Sequence, residues 1–400
     1  MTYDGEADLR VRQKGLPGEP LKKEGRPMRN VFAGMGVVFS LLILAGWCLA
    51  AERVKIGAYL PMTGAVAAYG QDARTGIQIA MEMEPAVLGK KVGFVLTDTK
   101  SDKIESANAV SRLIEKEKVV GIIGEMISGD TMAGAPIAEK ARIPMVSPTA
   151  TNVLVTQGKK YIFRVCFVDD VQGEGAAKYA FHTLKARRAA LIVDKAQDYC
   201  VGLAKFFKDN FTRLGGQIVA ETFCVTEDKD FSAQLSTIKL ANPDVIYAPN
   251  YYSPVALFTR QARELGVKTP VLSGDGAQAE ELIQIGGKEV EGVAFTGHFH
   301  PQAASTRLAK DFISRFHKKY KADPNAFNAL GADAYFVLLD AIARAKSTEG
   351  ERIRAALAKT KNFEAVSGKL SIGENGNAVK PMVINAVKNG KFIYLATVNP

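Results

Sequence analysis

From residue 54 to residue 297 the chain alternates short, almost wholly apolar runs with longer segments whose apolar residues recur at helical spacing. This alternation limits the possible folds more than any other feature. Runs such as Val54–Leu60, Val119–Gly124 and Ala189–Asp194 have no consistent polar face. They fit strands buried on both sides, which occur in parallel sheets covered by helices on both faces. The segments between them supply those helices. Ile104, Ala107, Val110, Leu113 and Ile114 form one apolar stripe, with Ser101 placed to cap the helix start. The pattern runs once from Val54 to Phe167 and restarts with a helix from Gln172. Strands follow over Ala189–Asp194, Gln217–Cys224, Asp244–Ala248, Pro270–Ser273 and Gly292–Gly297. Two such runs predict two α/β lobes. Long helices over 303–321, 326–346 and 350–359, then strands over 368–372, 382–387 and 392–397, complete the chain.

The chain has 400 residues, 47% of them hydrophobic and 24% charged, which is enough for two hydrophobic cores. Its net charge is +10, yet no basic run is interleaved with aromatics, so no nucleic-acid partner is expected. Such a surface favours encounter with anionic membranes or partners. Val31–Ala51 is the one membrane-like stretch outside the repeating pattern. It is apolar apart from Ser40, follows Lys22, Lys23, Arg26 and Arg29, and closes on Cys48-Leu49-Ala50. Basic, apolar, then small is the order of a secretory signal. Residues 28–50 therefore read as a signal peptide cleaved after Ala50, which directs the protein to the periplasm. The length also suits an uncleaved membrane anchor. Residues 1–27, polar and holding Pro17, Pro20 and Pro27, read as a disordered extension or as the product of a start codon assigned too early. After cleavage Cys166, Cys200 and Cys224 remain. They lack metal-ligand spacing and read as buried thiols, with a Cys200–Cys224 bridge as the one pairing considered.

In open parallel sheets, ligands bind beyond the carboxyl ends of the strands. Those ends carry Tyr69, Ser128 and Thr151 in the first run, and Tyr199, Tyr251 and Asp275 in the second. The turn Ser147-Pro148-Thr149-Ala150-Thr151 is small and hydroxylic, and its free N–H groups suit a carboxylate. Each residue also has an ordinary structural role open to it. Ser128 and Thr151 can cap helices, the tyrosines can cover helix ends, and Asp275-Gly276 is a common turn pair. Catalytic motifs are missing. No Gly-x-Gly-x-x-Gly follows the first strand, no Gly-x-Ser-x-Gly elbow occurs, and Gly286-Gly287-Lys288 lacks the rest of a phosphate loop. His298-Phe299-His300 has no apparent third metal ligand and reads as a solvated or hydrogen-bonded pair between the two runs. No cofactor, no metal and no enzymatic activity are expected.

The order of motifs carries a resemblance. Val54-Lys55-Ile56-Gly57 is followed by Pro61-Met62-Thr63-Gly64, Tyr69-Gly70, Pro148-Thr149-Ala150-Thr151, Asp198-Tyr199 with Gly202, and Arg260-Gln261-Ala262-Arg263. Over residues 52–398 the chain resembles the periplasmic leucine/isoleucine/valine-binding protein family, the substrate-binding components of ABC importers. The resemblance implies a type I periplasmic-binding-protein fold, α/β, with two lobes. Each lobe would be a mostly parallel sheet covered by helices, joined by three hinge crossings near Val168–Asp169, His298–His300 and Pro381–Ile384. Residues 51–168 and 300–381 would form lobe 1, and 169–299 and 382–400 lobe 2.

The same resemblance implies roles. Ser128 and Thr151 would hold a ligand's carboxylate and amino groups, with Thr149 and Ala150 as backbone contacts. Tyr199 and Tyr251 would close from the far lobe, Asp275 would take the α-ammonium, and Tyr69 and Met126 would line the side-chain pocket. The expected ligand is an aliphatic amino acid, the partners are the permease subunits of an ABC importer, and a monomer is expected. Receptors for an amide or small organic acid, and a membrane-anchored sensor, are the alternatives. The chain departs from the family at Lys100 and Ile127, where a first-lobe disulfide is usual, and at Cys200, where glycine is usual. One extra residue also precedes Tyr199. The chemistry fits a zwitterion, because each buried charge needs a partner. Micromolar affinity corresponds to about −8 kcal/mol.

Overall fold

A computed structural model describes residues 53–373 and 375–398. The proposed signal segment and the extension before it lie outside the described residues. The first sheet begins with β1 (Val54–Leu60), buried at all but one position, as a central parallel strand must be. Helix α1 (Ala67–Met83) leads through the short β2 (Ala86–Val87) to β3 (Lys90–Asp98). Helix α2 (Lys103–Glu115), β4 (Gly121–Ile123), α3 (Ser128–Ala141), β5 (Met145–Ser147) and β6 (Ile162–Arg164) follow. The strand order is β2-β3-β1-β4-β5-β6, parallel except for β2. Because β3 and β4 flank β1 on opposite sides, a crevice opens beyond the carboxyl ends of β1 and β4. The cap of α2 is Asp102 rather than Ser101. The Asp102 carboxylate accepts the N–H groups of Ile104 and Glu105 at 2.8 and 2.9 Å. Ser101 instead sits at φ +57° and donates its hydroxyl to Thr63 O at 3.0 Å.

The second sheet repeats this logic. Its elements are α4 (Asp169–Lys178), β7 (Arg188–Asp194), α5 (Asp198–Arg213), β8 (Gln217–Cys224), α6 (Ser232–Ala241), β9 (Val245–Ala248), α7 (Tyr252–Glu264), β10 (Val271–Ser273), α8 (Glu280–Gly286) and β11 (Ala294–Gly297). Helix α4 starts three residues before the expected Gln172, with Asp169 and Asp170 in its first turn, where the exposed Asp170 complements the helix dipole. Strand β7 lies between β8 and β9, which makes a second crevice. Asn250 bridges its two walls: its Oδ1 accepts from Asp194 N at 2.8 Å and its Nδ2 donates to Ile192 O at 3.1 Å. Cys166, Cys200 and Cys224 are all buried free thiols, so Cys200 and Cys224 are not bridged.

Helices α9 (Arg307–Tyr320), α10 (Ala326–Ala345) and α11 (Gly350–Leu357) return the chain to the first lobe. Helix α10 packs against α1 at backbone distance. A Cβ on Gly76 would stand 1.9 Å from Asn328 O, and one on Gly331 2.5 Å from Ala73 O. The two glycines thus allow the helices to touch reciprocally. A small sheet of β12 (Phe363–Ala365), β13 (Gly368–Ile372) and β14 (Ala378–Val379) follows. The chain then enters the second sheet as β15 (Met382–Lys388), antiparallel to β11, and β16 (Lys391–Val398), antiparallel to β15. It passes between the sheets after β6, after β11 and before β15. The last passage holds Lys380, buried, whose Nζ donates to Ser367 Oγ, which in turn donates to Asp333. Burial lowers the Lys380 ammonium to about 8 and raises the Asp333 carboxyl.

Candidate functional site

The two crevices face each other across a small cavity. Tyr69, Met126, Ser128, Thr149 and Phe327 line it from the first lobe, and Tyr199, Tyr251, Asp275 and Gly276 from the second. Seven of the nine residues singled out from the sequence therefore meet in one place. Each arrives from a strand end. Tyr69 is in the first turn of α1, Met126 follows β4, and Ser128 opens α3. Thr149 follows β5, Tyr199 is in the first turn of α5, Tyr251 precedes α7, and Asp275 follows β10.

The first-lobe wall is suited to an anion. Helix α3 directs its opening N–H groups toward the cavity end at Ser128. The Ser128 hydroxyl accepts Asn152 N at 3.2 Å, and Thr149 donates its hydroxyl to Met126 O at 2.7 Å, which fixes the turn. Behind this wall Glu125 is fully buried between Thr99 Oγ1 at 2.8 Å and Ile127 N at 2.6 Å. Burial raises its carboxyl well above the usual range.

The second-lobe wall holds the acidic group. Asp275 Oδ1 accepts the Tyr199 hydroxyl at 2.9 Å, and His298 Nε2 lies 3.0 Å from Oδ2. The backbone N–H of Asp275 donates to Gln172 Oε1 at 2.9 Å. Tyr199 stacks on Tyr251 at 5.4 Å, and Tyr69 stacks on Phe327 at 4.3 Å while meeting Tyr251 edge-on. Four aromatic rings thus enclose the space between the anion wall and the carboxylate. Burial raises the phenols of Tyr69, Tyr199 and Tyr251 well above their ordinary range, so each remains an O–H donor. The Tyr251 hydroxyl is buried without a hydrogen-bond partner.

Ala150 and Thr151 stand apart from the cavity lining. The backbone of Ala150 is already committed: its N–H donates to Ser147 Oγ at 3.1 Å and its carbonyl accepts Arg164 Nη1 at 2.6 Å. Thr151 is 1% exposed, and its carbonyl accepts Asp169 N at 3.0 Å. Sequence reasoning missed Phe327, Gly276, Gln172 and the contact of His298. Phe327 lies just inside α10, in Asn325-Ala326-Phe327-Asn328, where Asn325 and Asn328 form a capping box. That signal marks a helix start but not what the helix start faces. Among the described residues no cluster of metal-ligating side chains occurs.

The lobes also touch around the cavity. Tyr69 donates its hydroxyl to Gly276 O, Tyr252 donates to Ala65 O at 3.0 Å, and Asn152 Nδ2 donates to Asp198 O at 2.8 Å. An outer groove of about 390 Å³, lined by Val66, Lys103 and Gln197 among others, shares Tyr251 with the inner cavity.

Comparison with known proteins agrees with this architecture. The sequence pattern of the periplasmic binding protein family matches residues 53–391. A Leu/Ile/Val-binding protein of Rhizobium johnstonii is 31% identical over 335 residues, covering 82% of this chain and 90% of the relative. A leucine binding protein of Thermotoga maritima superposes with a TM-score of 0.86 at 52% identity, over 87% of this chain and 99% of that one. A branched-chain amino acid transporter substrate binding protein of Streptococcus pneumoniae, solved with isoleucine, gives 0.82 at 32% identity, over 87% and 100%. With two mostly parallel sheets facing one cavity and a match over nearly the whole described chain, the protein belongs to the periplasmic binding protein family and has its type I, two-lobed fold.

Proposed function

We propose that the mature protein is an extracytoplasmic receptor that clasps a free aliphatic amino acid of the branched-chain type and delivers it to the permease subunits of an ABC importer. The observation that carries this reading is the placement of Asp275 and Ser128 on opposite walls of one small, aromatic-lined cavity. A buried zwitterion needs a partner for each charge. The opening turn of α3, with Ser128, serves the carboxylate, and Asp275 serves the ammonium. Tyr69, Met126, Tyr251 and Phe327 supply the apolar surface against which an aliphatic side chain packs. Thr151 acts from beneath the turn, through the backbone it holds, and Ala150 does the same. The names of the similar proteins point to the same ligand class.

Removing one member of a desolvated charge pair costs about 2–5 kcal/mol. In calorimetry, Asp275→Ala therefore weakens L-leucine binding at least ten-fold while the far-ultraviolet circular dichroism is unchanged. Unaltered affinity would show that Asp275 is only a turn residue, or that the ligand carries no amine. The ligand is recovered unchanged after binding, and chemical conversion would overturn the receptor reading. Export with cleavage after Ala50 predicts a mature chain beginning at Ala51. Mass spectrometry of the exported protein checks this, and a retained Val31–Ala51 segment would favour the anchored sensor.

A further inference from the structure

The second crossing carries a histidine that the reading above leaves without a task. His298 directly follows β11 and is 1% exposed. Its ring lies against Phe167 of the first crossing, with centroids 3.8 Å apart. Nε2 faces Asp275 Oδ2 at 3.0 Å, and Nδ1 is buried without a hydrogen-bond partner. A carboxylate only accepts, so the proton sits on Nε2 and the imidazole is the donor. Asp275 is then held at three points: Oδ2 by His298, Oδ1 by Tyr199, and its N–H by Gln172, whose Oε1 also accepts Thr296 Oγ1 at 2.6 Å.

We propose that His298 is a positioning residue for ligand binding, holding the Asp275 carboxylate in the orientation that receives the ligand's ammonium group. The inference rests on the assignment of Asp275 as the ammonium partner. A free aspartate side chain would have to be ordered by the ligand itself. A carboxylate already restrained by neutral donors keeps its full charge and loses little further freedom. The choice of a neutral donor matters. A cation at His298 would compete with the ammonium for the same carboxylate.

The surroundings of His298 keep it neutral. Burial lowers its pKa, the hydrogen bond and charge of Asp275 oppose that shift, and Lys380 on the third crossing reinforces it. Asp169 of α4, together with Cys166 and Tyr199, faces the same carboxylate. At neutral pH the imidazole is uncharged. As the pH falls it gains a proton, and ligand binding must then expel a second cation from Asp275. Affinity is therefore highest above the histidine's titration and declines on acidification.

The test is calorimetric titration of the mature protein with L-leucine between pH 5 and pH 8, for the wild type, His298→Ala, His298→Gln and Asp275→Asn. Glutamine places an N–H where Nε2 stands but does not titrate. The expected results are a loss of about ten-fold or more for His298→Ala at pH 7.5 and recovery of most of it in His298→Gln. Wild-type affinity is expected to fall with pH more steeply than that of His298→Gln, which lacks the imidazole. If His298→Ala binds as tightly as the wild type, or His298→Gln follows the wild-type pH profile, the inference is overturned. His298→Gln decides the matter even if His298→Ala fails to fold. If Asp275→Asn binds leucine normally, or the wild type binds no leucine, the underlying function reading fails. A deficit in Asp275→Asn alone overturns only the role of His298.

Discussion

Lys103 and Asp198 stand on opposite lobes and meet across the mouth of the cleft, with Nζ 2.8 Å from Oδ2. Gly129, in the first turn of α3, lies directly beneath them. A Cβ there would come within 2.6 Å of Lys103 Cε and 2.8 Å of Asp198 Oδ2. The pair is half exposed, so water and salt screen it, and such bridges contribute about 0–1 kcal/mol. Lys103→Ala is therefore expected to weaken L-leucine binding by no more than about five-fold. The difference from wild type should shrink at high ionic strength. Calorimetry at two salt concentrations checks both statements. A loss as large as that of Asp275→Ala would mean the bridge governs closure.

Binding is expected to bring the lobes together. Neither wall is a complete site, so a ligand seated on Ser128 gains Tyr199, Tyr251 and Asp275 only when the second lobe approaches. That difference between open and closed forms is what drives a ligand-dependent hinge motion. Small-angle scattering should show a smaller radius of gyration with L-leucine than without. Tyr251→Ala should weaken binding without abolishing it. An unchanged radius on tight binding would mean the empty protein already rests closed, as the contacts of Tyr69 with Gly276 and of Tyr252 with Ala65 would allow.

The contact of α1 with α10 predicts a stability defect remote from the cleft. Gly76→Ala would drive a methyl into the backbone of Asn328, which cannot yield as a flexible side chain can. Overpacking of this kind costs about 1–3 kcal/mol. Urea unfolding should show a lowered midpoint with an unchanged slope, because the surface exposed on unfolding is the same. A midpoint equal to wild type would show that the helices separate without cost.

Asp169 predicts a pH effect of definite sign. Burial, the largest influence, pushes its carboxyl up to about 8 from an ordinary 3.8. Between those values the folded chain binds a proton that the unfolded chain has lost. The stability this contributes is complete below the unfolded value and disappears as the pH rises toward 8. Asp169→Asn cannot titrate, so the melting temperature of the wild type should fall relative to the variant between pH 5 and pH 8. A constant difference would mean the N-terminus of α4 keeps the carboxylate ionised.

Local elements, and the residues that end them, are legible from neighbouring residues alone. Near-continuous burial in β1 and the apolar stripe of α2 follow from side-chain period, which is a property of neighbouring residues. For the same reason the sequence alone locates Tyr69, Ser128, Tyr199, Tyr251 and Asp275 at strand ends. Capping was less legible. Ser101 and Asp102 are adjacent and both able to cap, and only the positive φ of Ser101 decided between them. Which distant side chains share a surface depends on the packing of whole elements. Phe327 reaches the cavity because Gly76 and Gly331 let α10 lie against α1, and His298 reaches Asp275 because the second crossing stacks on the first at Phe167. Ala150 and Thr151, in the turn most suggestive to the eye, spend their backbone groups on Ser147, Arg164 and Asp169. Periodicity records which face of an element is buried. It does not record what that face is buried against, because that depends on contacts between residues far apart along the chain.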